Sequence, residues 1–262
     1  MSGPGNVRNP FGHDQAAQRY AGARPYYHRA ALDLAGTQQD LGHPEFALDV
    51  GCGTGLSARA ASDVAGYVVA VDVSASMLQA APPHPRIRYL RATAERIPLD
   101  DSVAGLATAG GALHWFDQAL ALAELARVLH PGAVLVVYSD YFHGKITGQP
   151  AFGTWLTGTY LPRYPAPARH AAFEEDVAES AGFAQVRYGE AEYAVPLSCA
   201  GLASYLVSQS NAGAAIDAGQ ITAASLRDQI AADTAGFFGP QDRADVIFGM
   251  RVWTCVRQGA PC

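Results

Sequence analysis

Apolar positions along the chain fall into two alternating periods. Short continuous runs, "EFALDVG", "YVVAVDV" (Tyr67 to Val73) and "IRYLRAT", read as buried strands. Between them, "TGLSARAASDV" and "SASMLQAAP" read as helices, the second with Ser74 or Ser76 as its N-cap. "SVAGLATAG" is a weaker, small-residue fourth strand. "DQALALAELARVLH" (Asp117 to His130) then repeats Leu122, Leu125 and Leu129 on one helical face, and "PGAVLVVYSD" stops that helix before a fifth strand. Further on, "EEDVAESAGFAQVRYGEAEYAV" restores a helix, a stop at Gly182 and a strand. "LSCAGLASYLVSQSNAG" and "ITAASLRDQIAADTAGFF" read as helical, and "DVIFGMRVWTCVR" (Asp245 to Arg257) as a last strand. The alternation predicts an α/β fold: a doubly wound, Rossmann-like, seven-stranded and mostly parallel sheet with helices on both faces.

Two stretches stand outside that pattern. Upstream, residues 1–13 read as a polar arm, and "DQAAQRYAGARPYYHRAALDLAG" (Asp14 to Gly36) as two short helices broken at Pro25, a helical cap. After Asp140 the period is lost. Residues 141–172 hold Tyr, Phe, Trp and Pro without order, which predicts a lid over a substrate. Residues 14–262 thus read as a single domain.

Composition narrows the function. With 262 residues, about half of them apolar, the chain can bury a substantial core. A formal charge of −6 argues against nucleic acid, whose phosphates need clustered Lys and Arg. The four cysteines (Cys52, Cys199, Cys255, Cys262) form no metal-binding or disulfide spacing. "MSGPGNVRNPFGHDQ" lacks the features of a signal peptide, and no apolar run is long enough to span a bilayer, so the expected setting is cytoplasmic, without membrane partners.

The chemistry begins at "FALDVGCGTGLSARA". The turn reads Gly51-x-Gly53-x-Gly55, with Asp49 two residues ahead. The dinucleotide fingerprint G-x-G-x-x-G would put a glycine where Leu56 stands, and a P-loop would need a lysine that is absent. A carboxylate at the strand end repels pyrophosphate and attracts a ligand carrying ammonium and sulfonium charges. At about 4 Å and an effective dielectric near 20, one such contact is worth roughly 4 kcal/mol before desolvation. Asp72 ends the next strand, where this kind of fold reads a ribose diol.

"LDVGCGTGLSARAA", "VVAVDVSASMLQAA", "RATAERIPL" and "LARVLHPGAVLVV" resemble, in order and spacing, the motifs of class I S-adenosylmethionine (AdoMet) dependent methyltransferases. "YAGARPYY", "GGALHWFDQALALAELARVL" and "SYLVSQSN" are similar to the small-molecule, type 11 group that includes trans-aconitate methyltransferase-like proteins. The resemblance implies AdoMet as cofactor. It places Gly51, Gly53 and Gly55 at the methionyl and ribose part, Asp49 near the amino group directly or through water, and Asp72 on the ribose hydroxyls. Val73 and Met77 would flank the adenine, Ala94 and Glu95 would lie at its edge, and Tyr20 and Arg24 would close the site. The sequence departs from the group in three places: Thr93, and the pair Ala104 and Gly105, stand where an Asp is common, and His28 where proline is usual.

The resemblance implies methyl transfer by in-line displacement to a small organic acceptor, with a tilt towards oxygen, hydroxyl or carboxylate. A carbon or nitrogen acceptor, or an AdoMet-fold enzyme turned to non-methyl chemistry such as cyclisation, stays open. His114, past the fourth strand, is the candidate general base, with a structural role as its alternative. Trp115, Tyr141 and Trp155 are candidate acceptor contacts; Phe116, Tyr138, Phe142, His143, Tyr160 and Tyr164 add aromatic character, and Arg163, Arg169 and His170 could meet an anion. A monomer or homodimer is expected.

Overall fold

The computed structural model describes residues 25–165 and 173–259. Its sheet has seven strands: β1 (Phe46–Val50), β2 (Tyr67–Asp72), β3 (Ile87–Arg91), β4 (Ala104–Gly110), β5 (Leu129–Ile146), β6 (Phe183–Leu197) and β7 (Ala244–Arg257). They lie in the order β3-β2-β1-β4-β5-β7-β6. β1 pairs in parallel with both β2 and β4, and β7 runs antiparallel to β5 and β6. The winding reverses between β1 and β4, which opens a crevice at the carboxyl ends of those strands.

Ten helices are described: α1 (His28–Gln38), α2 (Leu56–Ala61), α3 (Ala75–Ala80), α4 (Gln118–Val128), α5 (Pro150–Trp155), α6 (Leu161–Arg163), α7 (Glu175–Ser180), α8 (Cys199–Val207), α9 (Ser210–Asp217) and α10 (Ala223–Thr234). Ala47, Leu48 and Val50 of β1 are all fully buried, because helices cover both faces of the central strands. On one face α1 and α2 bury Leu32, Ala35 and Ala58 against Ala47, Val68 and Leu106. On the other, Leu122 and Leu125 of α4 and Ala178 of α7 pack over Leu48, Val69 and Leu135. Side chains start α3 and α4: Ser74 accepts from the Met77 amide and Asp117 from the Leu120 amide.

The first residues of the expected lid are sheet. β5 does not end at Asp140 but runs on to Ile146, paired with β7 from Val134↔Val256 to Ile146↔Val246, with a register shift between Phe142 and Lys145. Residues 141–146 are therefore sheet, held by a strand about a hundred residues away rather than by their own period. The rest of the stretch folds as α5, a single π-helical turn (Leu156–Tyr160) and α6; residues 166–172 lie outside the described residues. These helices do not stand alone. Ile146, Phe152, Leu156, Leu202, Tyr205 and Phe248 form a third apolar cluster that joins them to α8, α10 and the strand ends. The cap expected over 14–36 is described only from residue 25, and α1 continues past Gly36 to Gln38.

Candidate active site

β1 ends in a turn whose three glycines, Gly51, Gly53 and Gly55, have φ of 66°, 54° and 85°. This is the left-handed region, where a side chain is strained. Space demands glycine too. A Cβ on Gly51 would lie 2.5 Å from the Ala112 Cβ and 2.9 Å from the Phe116 ring. The bare backbone of the turn can approach a ligand closely.

Asp72 ends β2 beside this turn. Its Oδ2 accepts from the Gly53 amide at 2.9 Å, and its Oδ1 from the Ser74 amide at 2.8 Å. Two backbone donors fix the carboxylate, and each oxygen keeps a lone pair for a diol. Asp49 is fully buried. Its Oδ2 accepts from the Ser57 hydroxyl and its Oδ1 from the Thr108 hydroxyl, both at 2.6 Å. Burial pushes its carboxyl up to about 7, against the pull of those two hydrogen bonds and with a small push from Asp72.

A cavity of about 730 Å³ opens at this edge of the sheet. That volume lies in the upper part of the range for sites that enclose a drug-sized ligand. Its wall brings together Gly51, Gly53, Asp72, Val73, Met77, Ala94 and Glu95 with His114, Trp115 and Tyr141. His114 sits on a one-turn 3₁₀ helix (Leu113–Trp115) after β4, its ring 4.7 Å from that of Trp115. Glu95 Oε1 accepts from the Asp117 amide at 3.2 Å, which ties the rim to the start of α4.

Other expected site residues lie elsewhere. Asp49 and Gly55 are not on the wall: Gly55 lies under Tyr89, and Asp49 lies a layer down, bonded to the wall residue Ser57. Trp155 does not reach the cavity either. Its indole donates to Asp233 Oδ2 at 3.3 Å and its ring lies 5.6 Å from Tyr160, so it fastens α5 to α10. Tyr20 and Arg24 fall outside the described residues.

The wall also holds residues that periodicity does not announce. Tyr205, Leu206, Gln209, Ser210 and Asn211 also line the cavity. Their only sequence signal is the "SYLVSQSN" resemblance. The Tyr160 hydroxyl donates to the Leu206 carbonyl at 3.1 Å, and Asn211 Nδ2 to the Tyr164 carbonyl at 2.9 Å, so the two helical layers over the cavity are bonded together.

His28 is another such residue, visible in the sequence only as a departure from proline. It opens α1, lines the cavity and is 7% exposed. Its Nδ1 lies 3.1 Å from the Tyr138 hydroxyl, and its ring stacks on Tyr27 with centroids 4.5 Å apart. Burial lowers its pKa to about 3, so the imidazole is uncharged near neutrality. Tyr138 fits because residue 110 is glycine: a Cβ there would lie 2.7 Å from its ring.

The arrangement fits a cationic nucleoside. The bare turn admits a polar tail, fixed Asp72 can accept a ribose diol, Val73, Met77 and Ala94 offer an apolar slot, and Asp49 supplies an ionisable carboxyl beneath.

Residues 48–137 match the model of a methyltransferase domain family, type 11. A malonyl-[acyl-carrier protein] O-methyltransferase of Pectobacterium atrosepticum is 35% identical over 122 residues, 44% of this chain and 48% of that protein. The chain spans about half the length of the curated relatives it matches. A candidate type II methyltransferase of Anaeromyxobacter dehalogenans superposes with a TM-score of 0.68 at 24% identity, covering 90% of this chain and 99% of that one. The [4+2]-cyclase SpnF superposes at 0.52 with 20% identity, covering 89% and 82%. These likenesses share the fold.

Proposed function

We propose that this chain, which belongs to the class I AdoMet-dependent methyltransferases of the type 11 group, transfers a methyl group from AdoMet to an oxygen of a small organic acceptor. The observation that carries the reading is Asp72, whose two oxygens are aligned by the Gly53 and Ser74 amides at the edge of the glycine turn. A carboxylate fixed in this way accepts a diol without reorganising.

AdoMet supplies an already activated methyl on a sulfonium that leaves as a neutral thioether. The chain's share of the work is then to bind, orient and exclude water. Gly51 and Gly53 let the backbone approach the amino-acid end, Asp72 takes the ribose hydroxyls, and Val73, Met77, Ala94 and Glu95 border the base. Asp49 acts from beneath: its negative charge favours a cationic ligand although Ser57 stands on the wall. On the acceptor side, Trp115 and Tyr141 border the bound molecule, and His114 takes the proton that a hydroxyl must lose.

The oxygen assignment is supported by the likeness to an O-methyltransferase. A second reading, non-methyl chemistry on the same fold, is favoured only by the likeness to a cyclase. Product mass separates the two. Incubation of the protein and AdoMet with a panel of small hydroxyl and carboxyl compounds should yield AdoHcy and a product heavier by about 14 Da, one CH₂. An AdoMet-bound protein that converts an acceptor without change of mass would replace this reading with the second.

A further inference from the structure

Part of the cavity wall has a chemical character of its own. Aromatic rings of Trp115, Tyr141, Phe142, Tyr160 and Tyr205 make up much of it, which suits a flat apolar body. The carboxylates of Asp72, beside the glycine turn, and of Glu95 and Asp140 line the same cavity, and no lysine or arginine lines its described part. Carboxylates around a partly enclosed space oppose entry of an anion.

His28 supplies the polar end. Its Nδ1 is engaged by the Tyr138 hydroxyl, its ring is clamped against Tyr27, and Nε2 is the remaining polar atom of a side chain that lines the cavity. Tyr138 is itself held, with 1% exposure, over Gly110. A neutral imidazole fixed at one nitrogen offers a single oriented hydrogen bond at the other, as donor or acceptor according to its tautomer. A hydroxyl can meet either form, whereas a carboxylate can meet only one and finds no compensating charge.

Resting on the oxygen-methylation reading, we propose that the acceptor is an uncharged aromatic hydroxyl compound and that His28, positioned by Tyr138, hydrogen-bonds its hydroxyl. His28 is thus a specificity residue at a position where the group this chain resembles has proline, which could make no such bond.

The test uses the full chain saturated with AdoHcy and three matched probes: 2-naphthol, 2-naphthoate and 2-naphthylmethylammonium, titrated calorimetrically at pH 7. The expected order has naphthol tightest, with the two charged probes weaker by about tenfold or more. His28→Leu should weaken naphthol about three- to tenfold, the loss of one hydrogen bond between uncharged groups. It should leave naphthoate and AdoHcy binding unchanged, and His28→Gln should restore part of the loss. Tyr138→Phe, which frees Nδ1, should weaken naphthol while keeping the ring in place.

Either charged probe binding as tightly as naphthol, no naphthol binding, or equal naphthol affinity in folded His28→Leu and His28→Gln overturns the proposal. If His28→Leu does not fold, the wild-type probe order and the Gln variant still decide. Absence of AdoHcy binding sinks the methyltransferase reading and this proposal with it. AdoHcy binding with the wrong probe order sinks the acceptor class alone.

Discussion

Replacing Asp49 by asparagine tests the electrostatics beneath the glycine turn. In the folded protein burial raises this carboxyl from 3.8 to about 7. In the unfolded chain it returns to its ordinary value, so the native state binds its proton more tightly. Between those values the native state holds more protons than the unfolded one, and stability falls as pH rises. The whole interval is 7 − 3.8, about 3 pH units, worth about 4 kcal/mol. The stabilising contribution is complete below pH 3.8 and is lost as pH passes 7, with roughly 3 kcal/mol lost between pH 5 and 8. Asparagine is nearly isosteric, and the Ser57 and Thr108 hydroxyls can rotate to meet its oxygen and amide. Urea unfolding of both proteins at pH 5, 6, 7 and 8 reads the difference. The variant should gain on the wild type by roughly 3 kcal/mol between pH 5 and pH 8. A stability difference constant within about 0.5 kcal/mol across that range refutes the buried, proton-holding carboxyl. The same variant should bind AdoMet more weakly at pH 8, where the wild type is ionised, and about equally at pH 5.

Other predictions are more local. Gly51→Ala must hold alanine at φ 66° and push a Cβ into Ala112 and Phe116. It should cost roughly 2–5 kcal/mol and abolish AdoMet binding, by thermal shift and calorimetry; wild-type behaviour would mean the turn relaxes freely. Asp117→Ala removes the α4 cap and should cost about 1 kcal/mol in urea unfolding, whereas no loss would leave that cap without weight. Arg127 bridges Glu124 and Asp101 and donates to the Ile97 and Leu99 carbonyls. Arg127→Met should cost about 1–3 kcal/mol and loosen the loop that carries Glu95, to be seen as faster amide exchange over residues 93–99. For His114→Gln, a wild-type pH–rate profile that loses its lower limb supports the general base, and equal profiles assign the residue to structure.

The glycine-turn half of the candidate site is legible because its residues sit at strand ends that local periodicity locates. Gly51, Gly53 and Asp72 follow directly from β1 and β2, and the Ser74 cap from its own neighbours. The rest of the candidate site is not. Residues 141–146 carry no alternation, since their pairing with β7 is set across the sheet. Trp155 looks like a pocket residue in sequence, yet the third apolar cluster turns it towards Asp233. The legible strand end points Asp49 at the ligand, but its partner Thr108, 59 residues on, draws it into the core. His28 stands out only once Tyr138, 110 residues later, is seen to hold it.

The central claim is that the turn and Asp72 hold AdoMet. Calorimetric titration of AdoMet and, separately, NAD into the wild type and Asp72→Ala tests it most directly. One-site AdoMet binding, at least tenfold weaker in the variant and with no comparable NAD binding, is the predicted result. NAD binding as tight as AdoMet binding, or AdoMet affinity unchanged by the loss of Asp72, would contradict it.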